Sequence, residues 1–199
     1  MESRLKKYLI GIVLLTTVIL TGCLIPEKFT AKIDVQADAS YAAKFSGAVV
    51  NPLAAVELAQ KGKLAEKDEL ALKNDVASMS KNPDVKAVKY LGNGRYDLVL
   101  ESRKAAGQPL KMLDIFNVRT TKDGIIEISS SPIDDKSKKQ FAQLGIKIDG
   151  TLDVTLPKNA EVISHNATSE PTFFGLFGTY SWKIGRVDQQ PSIKFRLKK

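Results

Sequence analysis

The chain of 199 residues carries a single cysteine, at position 23. It stands just after a stretch, Tyr8 to Leu20, that contains no charge. No intramolecular disulfide can form, so whatever folds after Cys23 must be held by packing and hydrogen bonds alone. The uncharged stretch, at about 1.5 Å per helical residue, reaches roughly 20 Å, too short to span a hydrocarbon core of about 30 Å comfortably. Arg4, Lys6 and Lys7 precede it, and the small residues Thr21 and Gly22 follow. This is the layout of a secretory signal rather than of a folded element.

Leu20-Thr21-Gly22-Cys23 resembles the lipobox of bacterial lipoproteins. The resemblance implies lipidation of Cys23 and cleavage before it. Residues 1–22 are then a signal peptide, 23–28 a lipidated N-terminus and short tether, and 29–199 a single domain. Two or three acyl chains, at about 0.8 kcal/mol per buried methylene, hold a protein on a bilayer where one chain is marginal. The expected location is the bacterial envelope. With no acidic residue directly after Cys23, Leu24 points to the outer membrane of a two-membrane cell, or to the outer face of the cytoplasmic membrane of a one-membrane cell.

Period-2 alternation dominates the remainder. Phe29, Ala31, Ile33, Val35 and Ala37 alternate with polar positions, as do Tyr41, Ala43, Phe45, Gly47 and Val49, and Asp38-Ala39-Ser40 suits a hairpin between them. Asn51-Pro52 supplies an N-cap and a first-turn proline, and Gly62 a C-terminal stop. A second helix over about residues 65–80 places Leu72, Val76 and Met79 on one core-facing stripe. Gly92-Asn93-Gly94 and Lys122-Asp123-Gly124 mark two further hairpins. Asp134 begins a short helix that Gly145 ends. The strongest alternation runs from Ile146 to Leu156, and strands around Val162, Trp182 and Ile193–Leu197 follow. These readings predict an α+β fold of about nine mainly antiparallel strands, with two to three helices packed on them.

Catalytic and metal chemistry leave no recognisable set of groups. His165 is the only histidine, which excludes a multi-histidine metal centre, and no glycine-rich phosphate loop opens a helix. Asp134-Asp135 reads as helix capping, and Asp149 and Asp153 as the solvated face of a strand. No enzyme activity, metal or cofactor is expected.

Two features invite a binding role. Residues 171–182, PTFFGLFGTYSW, crowd five aromatics around glycines. Phe173, Phe174, Leu176 and Phe177 either form a loop that dips into lipid or covers an apolar pocket, with Trp182 at its end, or fold onto the sheet as a satellite core. The net charge of +8 favours an anionic counterpart, and export makes nucleic acid an improbable one. Lys194, Arg196, Lys198 and Lys199 can face anionic lipid head groups, or can be the solvated face of an edge strand.

The C-terminal third, GTLDVTLPKNAEVISHNAT to YSWKIGRVDQQPSIKF, resembles the LppM-type lipoprotein domain. A strand ends in Leu156-Pro157, a short strand carries Ser164-His165-Asn166, and the strand of Trp182 follows. This chain departs from the mycobacterial pattern, which continues into a C-terminal membrane segment. The resemblance implies a lipid-anchored α+β domain that engages a lipid or glycolipid without catalysis. The alternative is a scaffold or assembly factor for envelope proteins, docking a partner through strand edges or the 64–80 helix.

Overall fold

The structure, a computed structural model, describes residues 24–172, 179–186 and 189–198. The first hairpin joins β1 (Ile25–Val35) to β2 (Tyr41–Val50), with Ile25 opposite Val50 and Val35 opposite Tyr41. Strand β1 starts at Ile25, so residues 25–28 are sheet and not tether. Pro26 and Glu27 interrupt the alternation that the sequence shows from Phe29. A bulge between Pro26 and Lys28 absorbs the interruption. The Glu27 carboxylate then accepts two hydrogen bonds from the Arg95 guanidinium, at 2.7 and 3.0 Å, which fixes the entry of the chain.

Helix α1 (Pro52–Lys61) begins where expected. Asn51 Oδ1 accepts from the N–H groups of Leu53 and Ala54, and Gly62 closes the helix in the left-handed region, at φ 72°. Helix α2 (Glu66–Met79) follows, then β3 (Val85–Gly92) and β4 (Arg95–Lys104). In the turn between those strands Gly94 has φ 70°, and a Cβ there would collide with that of Ala54. Only glycine lets α1 approach this closely. The α2 stripe of Leu72, Val76 and Met79 is half-buried, and no residue of the helix is fully buried. Polar anchors supplement the packing. Tyr96 donates to the Leu72 carbonyl at 2.9 Å, Tyr90 donates to the Glu69 carboxylate, and the Asn93 N–H reaches the same carboxylate at 3.0 Å.

The remaining elements are β5 (Leu110–Met112), β6 (Phe116–Thr120), β7 (Ile126–Ser130), α3 (Asp135–Gln143), β8 (Asp149–Thr155), β9 (Ala160–His165), β10 (Tyr180–Ile184) and β11 (Ser192–Leu197). The class is α+β, with eleven strands among the described residues. They form a six-stranded sheet, β10-β8-β1-β2-β4-β3, and a five-stranded sheet, β5-β6-β7-β11-β9. All pairings are antiparallel except β1 with β8. Ile146 precedes the strand expected to contain it and packs instead with Ile25, Val50 and Ala55 beside α3. Strand β11 lies between β7 and β9, so it is not an edge strand.

One hydrophobic cluster joins the inner faces of both sheets. Phe29 stacks on Phe45 with ring centres 5.5 Å apart and meets Phe116 of the other sheet at 5.9 Å. The five-stranded sheet covers part of the inner face of the larger one, and α2 packs at the β3 edge. A groove remains between these two covers.

Candidate functional site

That groove is a cavity of about 660 Å³, within the usual range for a small-molecule site. Its floor is Ala43 of β2 with Leu98, Leu100 and Ser102 of β4. Asp75, Ser78 and Met79 of α2 form one wall, and Leu110 to Asp114 form the other. Leu24 and Asn51 close one end. Ala43 and Asn51 are eight residues apart along an extended chain, so the groove runs for roughly 25 Å at about 3.3 Å per residue. Leucine side chains line its floor, and acidic, amide and hydroxyl groups lie at its rim.

A second cavity, of about 230 Å³, lies on the other side of Leu24. Phe29, Ile133, Phe141, Ile148 and Ile184 give it apolar walls. Leu24, Leu113 and Asp114 border both cavities. Leu113 and Asp114 form the β5–β6 turn at φ 52° and 56°. A leucine in the left-handed region is strained, and such strain persists only where its surroundings fix it.

Three buried side-chain polar atoms among the described residues have no hydrogen-bond partner. Two of them belong to the cavities. Ser102 Oγ lies in the floor of the larger one, in a residue 6% exposed, and Ser130 Oγ belongs to the lining of the smaller one. An unmet hydroxyl in such a place costs about 1–3 kcal/mol. A ligand carrying a hydrogen-bonding group would remove that penalty.

None of the described site residues expected from sequence lines either cavity. Cys23, Phe173, Phe174, Leu176, Phe177 and Lys199 fall outside the described residues. Trp182 is 4% exposed, belongs to the main core and lines neither cavity. Its indole N–H donates to Asn166 Oδ1 at 2.8 Å. Thr179, at the end of the 173–178 segment, is 3.2 Å from the Thr155 hydroxyl. That point is the C-terminal end of β8, while Leu24 lies at the opposite end of the sheet, as the register of Lys28 with Asp149 and Asp34 with Thr155 requires.

The basic residues of β11 are ion-paired. Lys194 meets Glu127 at 2.9 Å, and Arg196 makes two hydrogen bonds to Glu161, at 2.9 and 3.1 Å. Lys198 stands 3.7 Å from the same carboxylate. Together they form a mixed-charge ladder across β7, β11 and β9. The Lys194 hydrogen bond, with Arg119 behind it, holds the Glu127 carboxyl below its ordinary value despite burial. His165 is part-buried, edge-on to Tyr180 with ring centres 4.9 Å apart.

Among the described residues no group of three His, Cys, Asp or Glu is placed to hold a metal ion. No helix among them is long and apolar enough to cross a membrane. Sequence reasoning missed both cavities, because a groove between α2 and β5 depends on how two sheets and a helix meet. The alternation of Leu110 and Met112, which no strand expected from the sequence covers, was the available signal.

No family model matches the chain, and no curated protein matches it. Among solved structures the fold is similar to the folded domain of the LppM protein of Mycobacterium tuberculosis, determined by NMR. Identity is 17% and the TM-score 0.40, over 89% of this chain and 91% of that one. This is a distant structural similarity.

Proposed function

We propose that this protein is a non-enzymatic, lipid-anchored lipoprotein of the bacterial envelope, which holds a lipid or other amphiphile in the groove between α2 and β5. The observation that carries the reading is the unpartnered Ser102 hydroxyl in the leucine-lined floor of a cavity that ends at Leu24. An extended hydrocarbon chain matches the floor, a polar group along it satisfies Ser102, and the rim suits a hydrated head. Leu24 directly follows Cys23, so an acylated Cys23 would place the groove beside the bilayer from which such a molecule comes.

The test is binding of a fluorescent single-chain fatty-acid analogue. Ser78 lies on the exposed side of α2 at the wall of the groove, and Ser78→Trp obstructs the groove without entering the core. Saturable one-to-one binding is expected, weakened at least tenfold by Ser78→Trp with the melting temperature unchanged. Equal binding by both proteins, or none by either, would overturn the reading. A stoichiometric protein partner with no bound amphiphile would favour the scaffold alternative.

A further inference from the structure

We infer that the end of the fold bearing Leu24 lies against a lipid bilayer, with Leu53, Leu70 and Leu91 inserted at its interface. The inference rests on the envelope-anchored reading for the presence of a membrane, and is independent of what fills the groove.

Four large hydrophobic side chains are exposed among the described residues: Leu53 at 56%, Leu70 at 58%, Leu91 at 51% and Ile163 at 50%. A single exposed leucine means nothing, since much of any protein surface is apolar. Three of these four, however, are gathered around one turn. Leu91 immediately precedes Gly92-Asn93-Gly94. Leu53 lies two residues after Asn51, whose N–H donates to the Gly94 carbonyl at 2.8 Å. Leu70 adjoins Glu69, whose carboxylate accepts the Asn93 N–H at 3.0 Å. Leu24 belongs to the same end, because Ile25 pairs with Val50 and both Leu24 and Asn51 border the large cavity.

The chain beyond the described residues identifies the occupant. Cys23 directly precedes Leu24, and the uncharged stretch Tyr8 to Leu20 ends three residues before Cys23. Whether acyl chains sit on Cys23 or the stretch stays attached, a membrane-seeking group joins β1 through four residues or fewer. At about 3.5 Å per residue this link cannot carry the bilayer far from the end of the sheet. Lys63 on the α1–α2 connection and Lys67 in the first turn of α2 are both exposed between Leu53 and Leu70, beside the acidic Glu66, Asp68 and Glu69. Apolar tips beside charged side chains of both signs match the acyl boundary and the zwitterionic head groups above it.

The opposite end carries Asn159, which donates to the Ala37 and Lys198 carbonyls. Lys198, and Thr179 beside Thr155, therefore lie away from this surface.

An acylated Cys23 leaves the protein no free thiol, so single cysteines can report on the surface. Leu53→Cys, Leu70→Cys, Leu91→Cys and the far-end control Lys158→Cys are labelled with an environment-sensitive fluorophore. The full-length protein is then placed in phosphatidylethanolamine–phosphatidylglycerol vesicles. A blue shift with quenching by lipid-borne quenchers is expected at 53, 70 and 91, and none at 158. Protein that floats with the vesicles while positions 53, 70 and 91 report water overturns this inference and leaves the anchored reading intact. Protein that does not float overturns both. A shift that appears in detergent without vesicles and grows with protein concentration would assign the surface to a second copy, and would also overturn it.

Discussion

Asn166 and Trp182 meet through one hydrogen bond, in which the buried indole Nε1–H donates to Asn166 Oδ1 at 2.8 Å. Trp182 belongs to β10 of the larger sheet, while Asn166 follows β9 of the smaller one. The same amide oxygen accepts the Ser192 N–H at 2.9 Å, and the amide nitrogen donates to the Gln190 carbonyl at 2.8 Å. One side chain thus ties the edge of one sheet to two strands of the other. Asn166→Ala should lose about 1–3 kcal/mol, because it strands a buried indole N–H. Urea unfolding followed by the fluorescence of the only tryptophan checks this directly.

Gly150 shows what β1 demands of β8. It pairs with Phe29, and a Cβ at Gly150 would collide with the Phe29 ring. That ring stacks on Phe45, so it has little room to yield. Gly150→Ala should destabilise by about 1–3 kcal/mol, as overpacking does. Gly185→Ala, with nothing within 4 Å of its Cβ and no left-handed φ, serves as the control and should change stability far less. Calorimetric melting of the two variants decides it.

Ser102 separates a ligand site from an ordinary core position. Removing an unpartnered buried hydroxyl removes a desolvation penalty, so Ser102→Ala should leave the ligand-free protein as stable as before, or slightly more stable. Affinity for the fatty-acid analogue should fall several-fold. A large loss of stability in the ligand-free protein would show that the hydroxyl already has a partner.

Glu127 links acid stability to β11. Its carboxyl titrates below the ordinary 4.5, chiefly through the Lys194 hydrogen bond and then Arg119, against the opposing effect of burial. A lowered folded-state value makes its contribution full above the unfolded value and lost as pH falls through the folded one. Glu127→Gln should therefore be less stable at pH 7 by about 1 kcal/mol or less, since Lys194 is half-exposed. The gap between the two proteins should narrow below about pH 4.5. Chemical denaturation at pH 7 and pH 3 measures it.

Local chemistry was legible because it is written in adjacent residues. Asn51-Pro52, Gly62, the Gly92-Asn93-Gly94 turn and Asp134 set their elements as read. The start of β1 was hidden because Pro26 and Glu27 break the alternation that a bulge restores. β5 was hidden by its length of three residues. The placement of β11 inside a sheet, the parallel pairing of β1 with β8 and the groove beneath α2 depend on contacts distant in sequence, which no local pattern reports. The aromatic crowding of 171–182 drew attention away from the groove, whose floor ordinary leucines line.

The most direct test of the whole account is the native mass spectrum of protein gently extracted from its membrane. The account predicts a chain that begins at an acylated Cys23, carrying one amphiphile that organic solvent removes. A complete chain with a free thiol and no bound amphiphile would contradict it.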